Sequence, residues 1–592
     1  MAFLKSILAL SSLLSLALSP VVSLHPLSVI TRPRGAEFHP SLSIPDRRFG
    51  VIETYADPAS ATALGAGWTR VRFPWADLQP NNDGEWSDAF FTDGVLAAEL
   101  AAGREVVGMI VNTPYWALDD SSTPGVPRGL YLPESDPGNV WATFVRQIVT
   151  RYAGRIDRWI IWNEPDIWDP AYPGRTWGGG VQEFFQLQRV AYNVAKSANP
   201  NVVIHLSAMS YFWDANYGRT PFFSLLMDEI QRDPQAASHD YYFDVASANL
   251  YFRVDNVYDL IVWHRSEMHA RGIDKPIWLT ETNAAPSSDP KWPVAGPKFL
   301  VSLDEQAAFV PQVFAAALAA GAQRVGVYKL IDTPGDRAAN PEPFGLLRED
   351  KSRRPAFTAF QVASNYLSGF TGATLDHRDG AYAQVTVRRG EATTTVLWTR
   401  SPAAAQARVP AHSTQAVLVD ALGNRRAIVP RDGVYVVDLP GCTQPTCAVG
   451  GSPRLLVEGA PPAAIPAATV AGQPVTPPTL GPTSAPTPQP TLGPTGAPMP
   501  QPTSPPTLPP TRQSTLAPIA TPASALAFPQ TSTPAPTSNL QPPTSNLQPQ
   551  IPNPQSPTPA PRVADAILIA AAILIAALLV AYALARISPR AV

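Results

Sequence analysis

The chain has 592 residues, too many for one domain, and 44 Lys and Arg against 47 Asp and Glu leave a formal net charge of −3. A balance this even gives no reason to expect nucleic acid as a partner, since binders of that kind carry a basic stripe. The 67 prolines are unevenly spread, 31 of them falling within residues 459–562, so the chain is divided into segments of different physical character.

Residues 1–23 read as a signal peptide: Lys5, then the apolar run "ILALSSLLSLALS", then small residues near Ser19–Ser23. From 45 to 368, short apolar runs alternate with amphipathic helical stretches. "FGVIET" and "WTRVRFPW" read as strands, and "DGVLAAELAAG" follows as a helix. "EVVGMIVNTPYW" precedes "WATFVRQIVTRYAG", and "RWIIWNEPD" precedes "VQEFFQLQRVAYNVAKSAN". "VVIHLSAMS", "FDVASANLYFR", "PIWLTETN" and "RVGVYKLID" each precede a further helix, the last being "AFTAFQVASNYL". Eight strand–helix pairs over roughly 320 residues predict a parallel sheet closed into a (β/α)8 TIM barrel. An open doubly wound sheet is the alternative, but no Gly-rich phosphate turn follows the first strand.

From 369 to 458 strands follow one another without helices, among them "AYAQVTVRRG", "TTTVLWTR" and "GVYVVDLPG", which predicts a small β-sandwich. Cys442 and Cys447 lie in its "GCTQPTC"; in an exported chain they are expected to form a local disulfide. Residues 459–562 are Pro, Thr, Ser, Ala and Gln, with "PTSNLQP" twice, a composition that buries no core and suits an extended stalk. Residues 563–586 hold "AILIAAAILIAALLVAYALA", long enough for a transmembrane helix, with Arg586 and Arg590 marking residues 587–592 as a cytoplasmic tail. The expectation is a cell-surface protein, exported by its leader and tethered by its C-terminal helix.

Barrel enzymes place reacting groups at the C-terminal ends of strands. Glu164 stands there after the fourth strand, in "WNEP", with Pro165 to end the ladder; Glu281 stands there in the seventh, in "LTET". Two facing carboxylates suit glycoside hydrolysis, one protonating the leaving oxygen while the other attacks the anomeric carbon or activates water. No metal or organic cofactor is called for. His264 and His269 are five apart, poor spacing for one helix face, and read as core or surface residues.

With "WNEPD" and "LTETN" in these places, residues 45–368 resemble glycoside hydrolase clan A, the retaining β/α-barrel glycosidases, with families 39 and 5 most similar. That resemblance implies Glu164 as general acid/base and Glu281 as nucleophile. It implies Asn163 on the sugar 2-hydroxyl, Arg72 as the arginine that steadies the nucleophile, and Tyr251 beside it. Two positions depart from the clan pattern: Asn249 stands where many members have His, and Tyr328 where many have Trp. Trp75, Trp116, Trp168, Trp177, Trp213 and Trp292 lie near strand ends and are candidates for stacking on sugar, Trp116 first among them. Asp166 reads as ordering the loop after Glu164; Glu53, ending the first strand, could touch substrate or cap the barrel. The expected substrate is a β-linked poly- or oligosaccharide. A transglycosidase would use the same residues, and a non-catalytic lectin or adhesin on the same barrel is the alternative class.

Overall fold

The computed structural model describes residues 45–459, apart from 122, 173, 340 and 341. The expected leader, most of the stalk, the hydrophobic segment and the tail lie outside these residues. No described helix is long and apolar enough to cross a membrane.

Eight parallel strands form the first sheet: β1 (Phe49–Val51), β2 (Trp68–Pro74), β3 (Glu105–Val111), β4 (Arg158–Ile161), β5 (Val203–His205), β6 (Ala246–Asn249), β7 (Ile277–Thr282) and β8 (Ala322–Val327). Neighbours follow chain order, β1 pairs β8, and parallel bridges His205–Val245 and Met209–Ala248 join β5 to β6, so the sheet closes. Outside it run α1 (Pro58–Leu64), α2 (Asp93–Ala101), α3 (Val140–Tyr152), α4 (Val181–Ala198), α5 (Phe222–Arg232), α6 (Val254–His269), α7 (Leu303–Ala319) and α8 (Pro355–Leu367).

Alternation decides which residues fill the barrel. Val71, Phe73, Trp159 and Ile161 face the helices, whereas Trp68, Val107, Met109, Ile160 and Trp278 pack together inside. Trp68 needs space, and its neighbours supply it. Gly50 and Gly326 are paired across β1 and β8, and a Cβ on either would sit 2.3 or 2.7 Å from the indole. The floor is thus plugged with apolar bulk, and polar residues are left for the C-terminal rim.

The second part has eight strands: β9 (Gly372–Arg378), β10 (Tyr382–Arg389), β11 (Ala392–Thr399), β12 (Ala405–Pro410), β13 (Ala416–Asp420), β14 (Arg425–Ile428), β15 (Val434–Leu439) and β16 (Arg454–Glu458). Six form an antiparallel sheet in the order β14-β13-β16-β11-β10-β9, and β12 and β15 form a second. Leu397, Leu418 and Leu456 meet Val409, Tyr435 and Val437 between them. The opposite face of the larger sheet, through Val385, Val396, Trp398 and Val457, joins the barrel's own core. Helix α7 lies there, buried at every position from Glu305 to Leu318. Cys442 and Cys447 are joined by a disulfide in the loop beside it.

Candidate active site

The end of β4 is shaped by its neighbours. Trp162 and Glu164 both hold left-handed backbone, at φ 75° and 45°. Such residues cost on the order of 1–3 kcal/mol each and persist where the surroundings over-determine them. Here Trp162 N donates to Ile110 O at 2.8 Å on one side, and Glu164 N to Ala208 O at 2.9 Å on the other. Pro165 follows with no N–H to donate, which ends the pairing. The bend carries the Glu164 side chain away from ladder geometry and into the rim.

Glu281 lies on β7, every residue of which is buried. Its carboxylate accepts from Arg70 in an ion pair and from the Tyr251 hydroxyl. Arg70 is 4% exposed and Glu281 6%, so the pair is held out of bulk water. This corrects the expectation for Arg72. Both arginines point inward from β2, but two residues of strand span about 6.6 Å, and it is Arg70 that lies level with Glu281. Arg72 sits nearer the mouth, exposed, with its guanidinium 3.4 Å from Asn112 Oδ1.

Glu164 is half-buried and differently treated. Asn249 donates from Nδ2 to Glu164 Oε1 at 2.8 Å and reaches Asn163 Oδ1 at 3.3 Å. Thr280 Oγ1 lies within donating distance of Asn249 Oδ1, at 3.0 Å, and of Ala248 O, at 3.1 Å. Burial, then the charge of Glu281, then that of Asp166 push the Glu164 carboxyl up to about 8; the Asn249 hydrogen bond and Arg70 oppose them. At neutral pH the group therefore holds its proton. The Tyr251 hydroxyl is pushed well above its ordinary value by burial and the charges of Glu281 and Glu164, so it stays a donor. Tyr328, after β8, is raised likewise by burial, Glu53 and Glu281, and packs 6.4 Å from the Tyr251 ring and 5.7 Å from Phe344.

The remaining expected residues separate into groups. Asp166 orders loops: its Oδ2 accepts from Ser210 N and Oγ at 2.9 and 2.8 Å and from Tyr211 N at 3.1 Å. Glu53 accepts from Lys329 Nζ at 2.9 Å, an ion pair that Asp336 shares. Trp75, Trp177 and Trp292 are core residues. Trp116 turns its indole N–H to Gln79 O at 2.7 Å and packs on Trp75, while its neighbour Tyr115 is 76% exposed. Trp168 and Trp213 are half-buried and touch at the rim. His264 is buried against Leu260 O, and burial lowers it to about 4. His269 faces Asp274 on the surface. Among the described residues no cluster of His, Cys, Asp and Glu is arranged to hold a metal.

The sequence reading missed Arg70 and Lys329. Arg70 shares its strand face with Arg72, so parity admitted either. Lys329 directly follows the Tyr328 already singled out, and a cation at a strand end was the available signal.

No family model matches the chain, and no curated protein does. Solved structures do. A family 39 glycoside hydrolase from the gut symbiont Bacteroides cellulosilyticus WH2 aligns with 17% identity over 70% of this chain and 81% of its own, at a TM-score of 0.50. A glucosidase from Croceicoccus marinus aligns with 13% identity over 70% and 96%, at 0.48. A family 39 β-xylosidase from Caulobacter crescentus aligns with 16% identity over 70% and 97%, at 0.45. The likeness is one of fold: the chain has a (β/α)8 barrel like that of the family 39 structure.

Proposed function

We propose that the chain is a retaining β-glycosidase, with Glu281 as nucleophile and Glu164 as acid/base, acting on a β-linked oligo- or polysaccharide. The observation that carries this is the opposite treatment of two carboxyls at one barrel rim. Glu281 sits against a buried guanidinium and a phenol donor, while Glu164 is pushed up to about 8. A carboxyl that holds its proton beside one that is ion-paired suits the roles of acid and nucleophile. In the first step a Glu281 oxygen bonds to the anomeric carbon, the bond to the leaving oxygen breaks, and Glu164 gives that oxygen its proton. In the second, Glu164 takes a proton from water, whose oxygen displaces Glu281. In this reading Asn163 would hydrogen-bond the sugar 2-hydroxyl, and Asn249 steadies Glu164. A surface location belongs to the same proposal and rests on the sequence of residues 1–23 and 563–586.

The test is hydrolysis of a panel of aryl β-glycosides and β-linked polysaccharides by the detergent-solubilised full chain. Beside it run Glu281→Gln and Glu164→Gln. Cleavage of one sugar class, lost by several orders of magnitude in Glu281→Gln, supports the reading. Retention of a glycan on affinity gels without cleavage by any of the three proteins sinks it in favour of a lectin.

A further inference from the structure

Four aromatic side chains crowd two rim loops beside Glu164. The loop after β4 carries Trp168 and Tyr172, and the loop after β5 carries Trp213 and Tyr217. Ring centroids lie 6.3 Å apart for Trp168–Trp213, 4.9 Å for Trp168–Tyr217 and 4.8 Å for Tyr172–Trp213. Tyr172 and Tyr217 are 45% and 49% exposed. Aromatic rings grouped at the surface, two of them nearly half exposed, mark a binding surface more often than a packing fault.

The cluster is also braced. Trp168 Nε1 donates to Trp213 O at 2.9 Å, and Asp166 ties the first loop to Ser210 and Tyr211 of the second. The Arg219 guanidinium lies 4.9 Å over the Trp168 ring and is itself held by Asp214 at 3.0 Å. Loops fixed in this way present their rings without an ordering cost at binding.

The position relative to the two carboxyls gives the cluster a side. Trp168 is four residues beyond Glu164 in the chain. Tyr172 is raised by burial and then by the charges of Glu164 and Glu342, whereas Tyr328 feels Glu53 and Glu281. An acid that protonates the departing oxygen has the departing sugar on its own flank. We propose that Trp168, Tyr172, Trp213 and Tyr217 form a stacking platform for the sugar units that depart with the cleaved oxygen, so that the substrate is a glycan chain continuing past the scissile bond. This rests on the glycosidase reading. The flat C–H faces of pyranose rings match the rings' apolar faces, and Arg219 and the phenols supply hydrogen bonds to hydroxyls.

The experiment compares kcat/KM of the full chain on β-1,4-linked hexasaccharides of xylose, mannose, glucose and galactose with kcat/KM on the matching 4-nitrophenyl β-glycosides. Wild type, Trp213→Ala, Tyr217→Ala and Tyr217→Phe are measured. The expected result is a loss on the cleaved hexasaccharide at least about tenfold larger than on its aryl glycoside for the two alanine variants, the factor that ~1.4 kcal/mol of transition-state binding represents. Tyr217→Phe, which keeps the ring, should recover most of it. Equal losses on both substrates would show a merely structural role, and no loss on the hexasaccharide would show that the rings do not touch it; either overturns the proposal. Should wild type cleave neither kind of substrate, the glycosidase reading itself has failed. Tryptophan fluorescence titrated with the same hexasaccharides then decides the platform separately: quenching lost in Trp213→Ala keeps it, and no response overturns it.

Discussion

Replacing Asn249 with Ala should move the alkaline limb of activity upward. Asn249 donates to Glu164 Oε1 at 2.8 Å, and that bond favours the ionised form of a carboxyl that burial, Glu281 and Asp166 together hold at about 8. A hydrogen bond to a charged group contributes about 1.5–3 kcal/mol. Glu164 is only half-buried, so water replaces part of the lost donor, and about 1 kcal/mol of the preference should go. That corresponds to roughly 0.7 pH unit. The assay is kcat/KM against pH for an oligosaccharide or methyl glycoside, whose poor leaving group needs its proton. Wild type should lose activity as pH rises through about 8, because the general acid must be protonated to act. In Asn249→Ala the limb should lie about 0.7 unit higher, whatever happens to the plateau. With a dinitrophenyl glycoside, which departs unaided, the limb should largely vanish in both proteins. A limb that stays put or moves down in Asn249→Ala would refute the assignment of that limb to Glu164.

Three further outcomes are expected. Arg70→Gln leaves the Glu281 carboxylate buried without its cation, so it should destabilise by about 3–5 kcal/mol and abolish most activity; Arg72→Gln should do neither, and equal melting losses would contradict the pairing seen here. Glu164→Gln should raise the melting temperature at pH 8. A carboxyl raised from 4.5 to about 8 by folding holds its stability contribution below 4.5 and loses it as pH climbs through 8, so the gain, about 2 kcal/mol after allowance for solvent access, should disappear in melts below pH 4.5. Gly326→Ala would drive a methyl to 2.7 Å from Trp68 and 2.8 Å from Thr280 O, and should cost about 1–3 kcal/mol in denaturant unfolding; Gly326→Ala with Trp68→Leu should recover part of it.

The barrel was legible because parallel strands buried on both faces are written as apolar runs, and the two glutamates stand where such runs stop. Arg70 was not, because parity along a strand tells face but not depth, and only the three-dimensional register brings one of two arginines level with Glu281. In the second part the expected strands were those with apolar cores; β9, β12 and β14, reading "GATLDHR", "AQARVP" and "RRAI", escaped notice. They are edges or belong to the two-stranded sheet, where half the side chains meet water and the periodic signal fades. Tyr172 and Tyr217 lie in loops with no periodicity at all, and the Glu53–Lys329 pair joins residues 276 apart in sequence, a proximity no local pattern records.

Helix α7 has a consequence for how this chain can be inherited. A barrel helix ordinarily keeps one face wet, and the sequence of α7, "LDEQAAFVPQVFAAALA", has given that face up to alanine, valine and phenylalanine. Gln312 donates to Gly451 O at 2.9 Å across the seam, and Thr443 to Glu305. The β-sandwich is therefore the eighth wall of its neighbour's house, not a lodger in it. A gene fragment ending near residue 368 would encode a barrel with a greasy stripe turned to solvent, prone to self-association, while the sandwich alone would expose the matching face. Recombination that swaps binding modules freely between enzymes should find no cut point here, and the two halves should change sequence together along that seam.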